Sequence, residues 1–192
     1  MKIKAVVIIV ILLLLIRKAK ASNTESRMSE KDIVNESKKF LVKKEGFSRK
    51  AIYDVNAWRI GYGSDTIVID KSGMFRTVRE GDVTTQELAE IDLSRRIESE
   101  FIPKVKKKIG GEIVWNKLPS GMKVALISFS YNYGNIVKKA IVDAVQAFNG
   151  NTKPVAEAWI NSTFDDNKRL PEKMRNALRE RRKEEVRLFH EA

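Results

Sequence analysis

The sequence predicts an α+β fold, mainly α, with one small antiparallel β-sheet set early in a single domain. Three observations carry that expectation. Ser29-Glu30-Lys31-Asp32 has the form of a capping box opening a helix that Gly46 closes. Short β-type pieces then occupy residues 51–83, and everything after Thr84 or Thr85 is helical or connecting in character. There is no internal repeat or low-complexity tract.

In the first helix, Ile33, Ser37, Phe40, Leu41 and Lys44 share one face, while Lys38, Lys39 and Lys43 lie largely elsewhere. Glu45 ends it. The β-type pieces are Trp58–Tyr62, Thr66–Ile69 and Met74–Val78, with Asp70-Lys71-Ser72-Gly73 as the turn between the last two. Thr84 or Thr85 caps the next helix, which runs through Leu88, Ile91, Leu93 and Ile97.

Ahead of the domain, Ala5 to Ile16 is an unbroken apolar run with Lys2 and Lys4 before it and Arg17 and Lys18 after it. Twelve helical residues reach about 18 Å against a hydrocarbon core of roughly 30 Å, closer to a signal-peptide core than to a full span. Ala19-Lys20-Ala21 supplies a small-x-small cleavage pattern, whereas the basic residues directly after the run favour retention as an anchor. Residues 1–21 are therefore expected to be a signal peptide or signal anchor, 22–28 a linker, and 29–192 the folded domain. Such a segment exports the domain to the periplasm or cell envelope, tethered to the inner membrane if uncleaved.

With 192 residues and 43% hydrophobic content, the chain can bury an ordinary core. Zero cysteines exclude disulfides, thiolate metal sites and a cysteine nucleophile, and a single histidine excludes His-based triads and multi-histidine zinc sites. That histidine, His190, sits two residues from the end of the sequence and reads as a surface residue. Acid-base chemistry falls to carboxylates, with no metal and no cofactor expected.

The formal charge is +12, and the five basic residues of positions 1–21 leave +7 for the remainder. Residues 168–187 hold nine basic against four acidic side chains, and Lys104, Lys106, Lys107 and Lys108 form a second cluster. Aromatics do not interleave with these charges, as a nucleic-acid surface would require, so no nucleic-acid partner is expected. Attraction to an anionic cell envelope accounts for the charge.

Glu45 and Asp54 flank the start of a glycine-rich run, Tyr53-Asp54-Val55-Asn56-Ala57-Trp58-Arg59-Ile60-Gly61-Tyr62-Gly63-Ser64-Asp65-Thr66. A pair of carboxylates is what acid-catalysed glycoside cleavage uses. The negative end of a helix dipole and the neighbouring Phe47 would both disfavour an ionised Glu45, which suits a general acid.

Lys44-Glu45-Gly46-Phe47, then Tyr53-Asp54, then Arg59-Ile60-Gly61-Tyr62-Gly63 resembles the signature of the phage-type lysozymes, the endolysin family. A second match is Leu118-Pro119 followed by Ala125 to Gly134, similar to the family's buried helix ending in Asn-x-Gly. A looser third is Leu178-Arg179-Glu180-Arg181-Arg182 through Glu185, Leu188 and Phe189, similar to the Arg-Arg-x-x-Glu pattern of the last long helix.

The resemblance implies a lysozyme-like two-lobed fold with the sheet beside a catalytic cleft. It implies a muramidase acting on peptidoglycan, cleaving the β-1,4 bond between N-acetylmuramic acid and N-acetylglucosamine and so lysing bacterial walls, as a monomer. Glu45 takes the general-acid position and Asp54 the second acidic position, while Tyr131 and Asn132 match positions near bound sugar. One departure stands out: Asp54 to Gly61 is one residue shorter than the family pattern, and Arg59 occupies the place of the family's threonine before Ile-Gly. Ser64 and Thr66 are candidates to replace its hydroxyl. Two alternatives follow from the departure: a lytic transglycosylase using Glu45 alone, or a catalytically weak lysozyme-fold protein that binds peptidoglycan.

Overall fold

The computed structural model describes residues 28–136, 138–162 and 170–190. The expected signal segment at 1–21 lies outside the described residues, as does the linker except Met28, which packs against the main core.

The first helix, α1 (Glu30–Lys44), begins as its capping box predicts. The Ser29 side chain accepts from the Asp32 backbone N–H, and the Asp32 carboxylate accepts from the Ser29 N–H. Ile33, Val34, Ser37 and Leu41 are buried, and the helix packs mainly on α5 (Ser120–Tyr133).

Four strands follow as two antiparallel pairs: β1 (Ser48–Asp54) with β2 (Ala57–Gly61), and β3 (Thr66–Val68) with β4 (Phe75–Thr77). Strand β1 is a correction to the sequence reading, which began the first strand at Trp58. None of its seven residues is buried, so it lacks the apolar alternation that reveals a strand. Its register with β2 shifts between Ser48 and Ile52, where Lys50 bridges Val83 and Ala51 donates to the Asp82 carbonyl. The Asp70 to Gly73 turn forms as predicted, with the Ser72 N–H donating to the Asp70 carboxylate at 2.8 Å. Ile60, Ile67 and Val78 make a small core of their own beneath the sheet.

Thr85, not Thr84, caps α2 (Gln86–Arg96), accepting from the Leu88 N–H. A π-turn at Ile97–Phe101 leads into α3 (Ile102–Ile109), which stops at left-handed Gly110. After the short α4 (Glu112–Trp115), α5 runs through the centre with Gly121 through Ser130 all buried. Around it lie α6 (Lys139–Gln146), α7 (Lys153–Asn161), α8 (Glu172–Arg187) and a terminal turn, Leu188–His190. Leu41, Ile97, Phe101, Met122, Phe129 and Trp159 belong to the main core, which is separate from the small core of the sheet. The predicted α+β architecture, mainly helical with a small antiparallel sheet, is the one observed.

Candidate active site

Glu45 is the first residue past α1. Its extended backbone (φ −92°, ψ 133°) turns the chain toward β1, and its N–H still bonds the Leu41 carbonyl at 2.8 Å. The carboxylate is only partly exposed, and Arg181 of α8 donates to it through Nη1 at 2.7 Å. The surroundings differ from the apolar setting that the sequence suggested. Phe47 instead leans on the Tyr62 ring, with centroids 5.7 Å apart, and the side-chain partner of the carboxylate is a guanidinium.

Arg181 is itself held from below. Its Nη2 donates to the Ser128 hydroxyl at 3.1 Å, and its Nε lies 3.4 Å from Glu185. Glu185, fully buried, also accepts from the Ser128 hydroxyl at 2.6 Å and the Trp159 indole at 2.8 Å, and pairs with Arg182 at 2.7 Å. Arg182 lies over the rings of Phe129 and Tyr133, and burial pulls its basicity down from the ordinary arginine value. Truncating one member of such a buried ionic cluster is costly, so the cluster fixes the position of Arg181. Arg181 was not singled out as a site residue from sequence; the Arg-Arg-x-x-Glu pattern was the signal that could have found it.

Asp54 ends β1 at a two-residue hairpin tip, paired with Ala57. The loop residue Val55 has φ of 52°, a left-handed conformation unusual for a β-branched side chain. The Asp54 carboxylate is exposed and has no ion pair among the described residues. Arg59 pairs with Asp65 at 3.4 Å, and Arg96 approaches the same Asp65 at 3.6 Å.

Ser64 and Thr66, the candidates for a missing hydroxyl, are committed elsewhere. Both donate to buried Asp92 of α2, at 2.6 and 2.9 Å, and Arg95 closes the group by donating to Asp92 and Thr66, each at 2.8 Å. Asp92 was missed from sequence, because a carboxylate on the inward face of a helix breaks the apolar pattern used to find that face. The network fixes the loop after Gly61, whose φ of 63° and close approach to Ala89 (2.9 Å from a built Cβ) both require glycine.

Tyr131 donates from its hydroxyl to the Tyr62 carbonyl at 2.5 Å and packs on Phe101; burial pushes its phenol well above the ordinary tyrosine value. The Arg96 guanidinium lies over the Tyr131 ring, 5.7 Å from its centroid. Asn132 accepts from Arg182 at 3.0 Å through its amide oxygen. The structure thus ties Glu45 and Asn132 into one network through Arg181, Glu185 and Arg182, holds Tyr131 separately on the Tyr62 carbonyl, and sets Asp54 apart on the hairpin. Among the described residues no group of three His, Cys, Asp or Glu side chains is placed to hold a metal ion.

A helix-end carboxylate gripped by an arginine, beside a small sheet and over a buried central helix, defines a lysozyme-type architecture. The chain belongs to the phage lysozyme family, whose model matches residues 42–185. Among solved structures it is similar to the muramidase domain of SpmX from Asticaccaulis excentricus, with 23% identity over 80% of this chain and 94% of that one and a TM-score of 0.58. It is similar to the endolysin from Escherichia coli O157:H7 phage FAHEc1, with 26% identity over 86% and 94% and a TM-score of 0.56. The active form of the P1 phage endolysin Lyz shares the fold at 16% identity, over 92% of each chain, with a TM-score of 0.53. No curated protein sequence matches the chain. By family it is a lysozyme-type glycosidase, a class whose substrate is peptidoglycan. Among the described residues no helix is long and apolar enough to cross a membrane.

Proposed function

We propose that the chain is a muramidase, hydrolysing the β-1,4 bond between N-acetylmuramic acid and N-acetylglucosamine, with Glu45 as general acid and Asp54 as the second carboxylate. The Glu45–Arg181 contact supports this most directly. Protonating the glycosidic oxygen turns Glu45 into an anion, and Arg181 at 2.7 Å is already placed to stabilise that charge as it forms. Asp54, exposed and without an ion pair among the described residues, serves as the base that activates water in an inverting reaction or as the nucleophile in a retaining one. Tyr131 and Asn132 contribute a ring edge and an amide N–H to the sugar side of the network.

A lytic transglycosylase is the second reading, favoured by one observation: both hydroxyls expected to position water are bonded to Asp92. In that reaction the sugar's own 6-hydroxyl attacks. Residues 29–192 form the catalytic domain in either reading. Residues 1–21 export it to the periplasm or envelope, and the basic body is drawn to the anionic wall.

Purified protein on isolated peptidoglycan, with mass spectrometry of the released glycans, tests both readings. Reducing muramic ends identify the hydrolase and 1,6-anhydro ends the transglycosylase. Activity surviving in Glu45→Gln would sink the assigned acid. Binding to the wall without any sugar release would mark a lysozyme-fold binding protein instead.

A further inference from the structure

The β1–β2 register pairs Asp54 with Ala57 and Ile52 with Arg59, and alternation along each strand puts these four residues on one face. Trp58 and Ile60 turn the other way, into the small core. Arg59 and Asp54 are therefore diagonal cross-strand neighbours, a separation of about 7–8 Å that long side chains can bridge, on the exposed face of the hairpin.

The Arg59 guanidinium is loosely held. Its ion pair with Asp65 spans 3.4 Å, beyond the roughly 2.7–2.9 Å of a charge-assisted hydrogen bond. It makes no hydrogen bond among the described residues, and Arg96 at 3.6 Å shares the same carboxylate. The Arg59 side chain is 33% exposed and that of Asp65 50%. A planar five-donor fork thus stands beside the candidate second carboxylate with most of its hydrogen-bonding capacity unused.

We propose that Arg59 receives a carboxylate of the muramoyl side branch of the glycan and so determines specificity for acidic wall glycan over neutral amino-sugar polymer. The proposal rests on the muramidase reading. The sugar rings of that substrate are uncharged, and its anionic groups lie on the branch. These are the lactyl carboxylate where the peptide stem is absent and the stem's own carboxylates where it is present. A guanidinium matches either one in a bidentate fashion, which a threonine hydroxyl does not. Asp65 then acts as a resident competitor that substrate displaces.

The test measures dissociation constants calorimetrically with full-length protein carrying Glu45→Gln to prevent turnover. Three soluble probes are compared: glycan chains with stems, chains stripped to the lactyl carboxylate, and stripped chains with that carboxylate amidated. Adding Arg59→Gln is expected to weaken binding of an acidic probe about fivefold, the size of a partly exposed ion pair, and to leave the amidated probe unchanged. A loss confined to stripped chains assigns the lactyl group; a loss confined to stemmed chains assigns the stem. Arg59→Lys should restore part of the loss, and Asp65→Asn should tighten acidic probes, whereas a mere structural brace would weaken all three alike. Equal weakening of acidic and amidated probes by Arg59→Gln, or no weakening of either, overturns the proposal. Because the readout is binding, a wild-type chain that releases no sugar would sink the hydrolase reading and leave this comparison standing.

Discussion

Arg181 joins Glu45 across 136 positions of sequence, its Nη1 lying 2.7 Å from the Glu45 carboxylate. The same guanidinium reaches Ser128 through Nη2 and approaches Glu185 through Nε, so one planar group spans the end of α1, the middle of α5 and α8. Lysine has a point charge and cannot fill all three directions. Arg181→Lys is therefore expected to fold yet lower kcat about tenfold or more, with KM little changed, because Glu45 loses its fixed orientation. The pH profile of kcat should move with it, a change that a purely structural role for Arg181 would not produce. Steady-state kinetics on a soluble glycan across pH, beside a urea melt, separates the two.

The Ser64 and Thr66 hydroxyls end on Asp92, 2% exposed, and not on the cleft. Replacing both with alanine leaves that carboxylate with Arg95 as its remaining side-chain partner, and an under-satisfied buried carboxylate costs about 1–3 kcal/mol. Ser64→Ala/Thr66→Ala should thus lower the unfolding free energy by that amount and bring the urea midpoint down with it, while the released glycans keep the same end chemistry. A switch from reducing to anhydro ends in this variant would show that a hydroxyl positions water after all.

What the sequence disclosed and what it hid divide along chain distance and polarity. Capping by Ser29 and Asp32, the Asp70 turn and the Thr85 cap are contacts within three residues, so residue type and spacing reveal them directly. Glu45 and Asp54 stand out as candidates because the glycine-rich run up to Thr66 gives them a recognisable order, and of the two the structure gives only Glu45 an ion pair among the described residues. Strand β1 was hidden because its pairing is made by backbone while its side chains stay exposed. Asp92 and Arg96 were hidden because they are polar groups on a buried helix face, whereas Arg181 and Glu185 stood in a visible Arg-Arg-x-x-Glu pattern whose partner across the fold was not. Pairing makes that burial tolerable, and the pairing of Asp92 with Ser64 and Thr66, or of Arg181 with Glu45, joins residues too far apart in sequence for spacing to reveal.

Asp82 makes the acid stability of the sheet testable. Its carboxylate takes both Arg76 guanidinium nitrogens at 2.7 Å and the Arg79 N–H at 2.8 Å, while its carbonyl accepts from Ala51 of β1. Those donors hold its carboxyl down at about 2, against an ordinary value near 3.8. A pKa depressed in the folded state means that the unfolded chain binds the proton more readily. The stabilisation is therefore complete above the unfolded value and fades as pH falls from about 4 through about 2. Asp82→Asn should be less stable by about 1 kcal/mol at neutral pH and should lose less on acidification than wild type. Thermal melts at pH 7, 4 and 2.5, as about three sampled conditions, decide it; parallel curves for the two proteins would refute the assignment.

Gly121 marks where the last turn of the chain closes on the central helix. A Cβ built there would fall 1.6 Å from the Leu188 carbonyl oxygen and 2.5 Å from its carbon, both backbone atoms with no rotamer to yield. Relief would have to come from moving the Leu188–His190 turn, whose Phe189 is buried against Trp159 with ring centroids 5.3 Å apart. Because Trp159 also donates to Glu185, the displacement would reach the cluster that seats Arg181. Gly121→Ala, normally a mild and even favourable change within a helix, is instead expected to destabilise by about 3 kcal/mol. It should also lower activity in the protein that remains folded. Val124→Ala, a truncation on the same helix, should reduce stability without the second effect if the Leu188 contact is what carries strain to the site. Urea unfolding with activity normalised to folded protein checks both, and an unperturbed specific activity in Gly121→Ala would break the link drawn from Leu188 to Arg181.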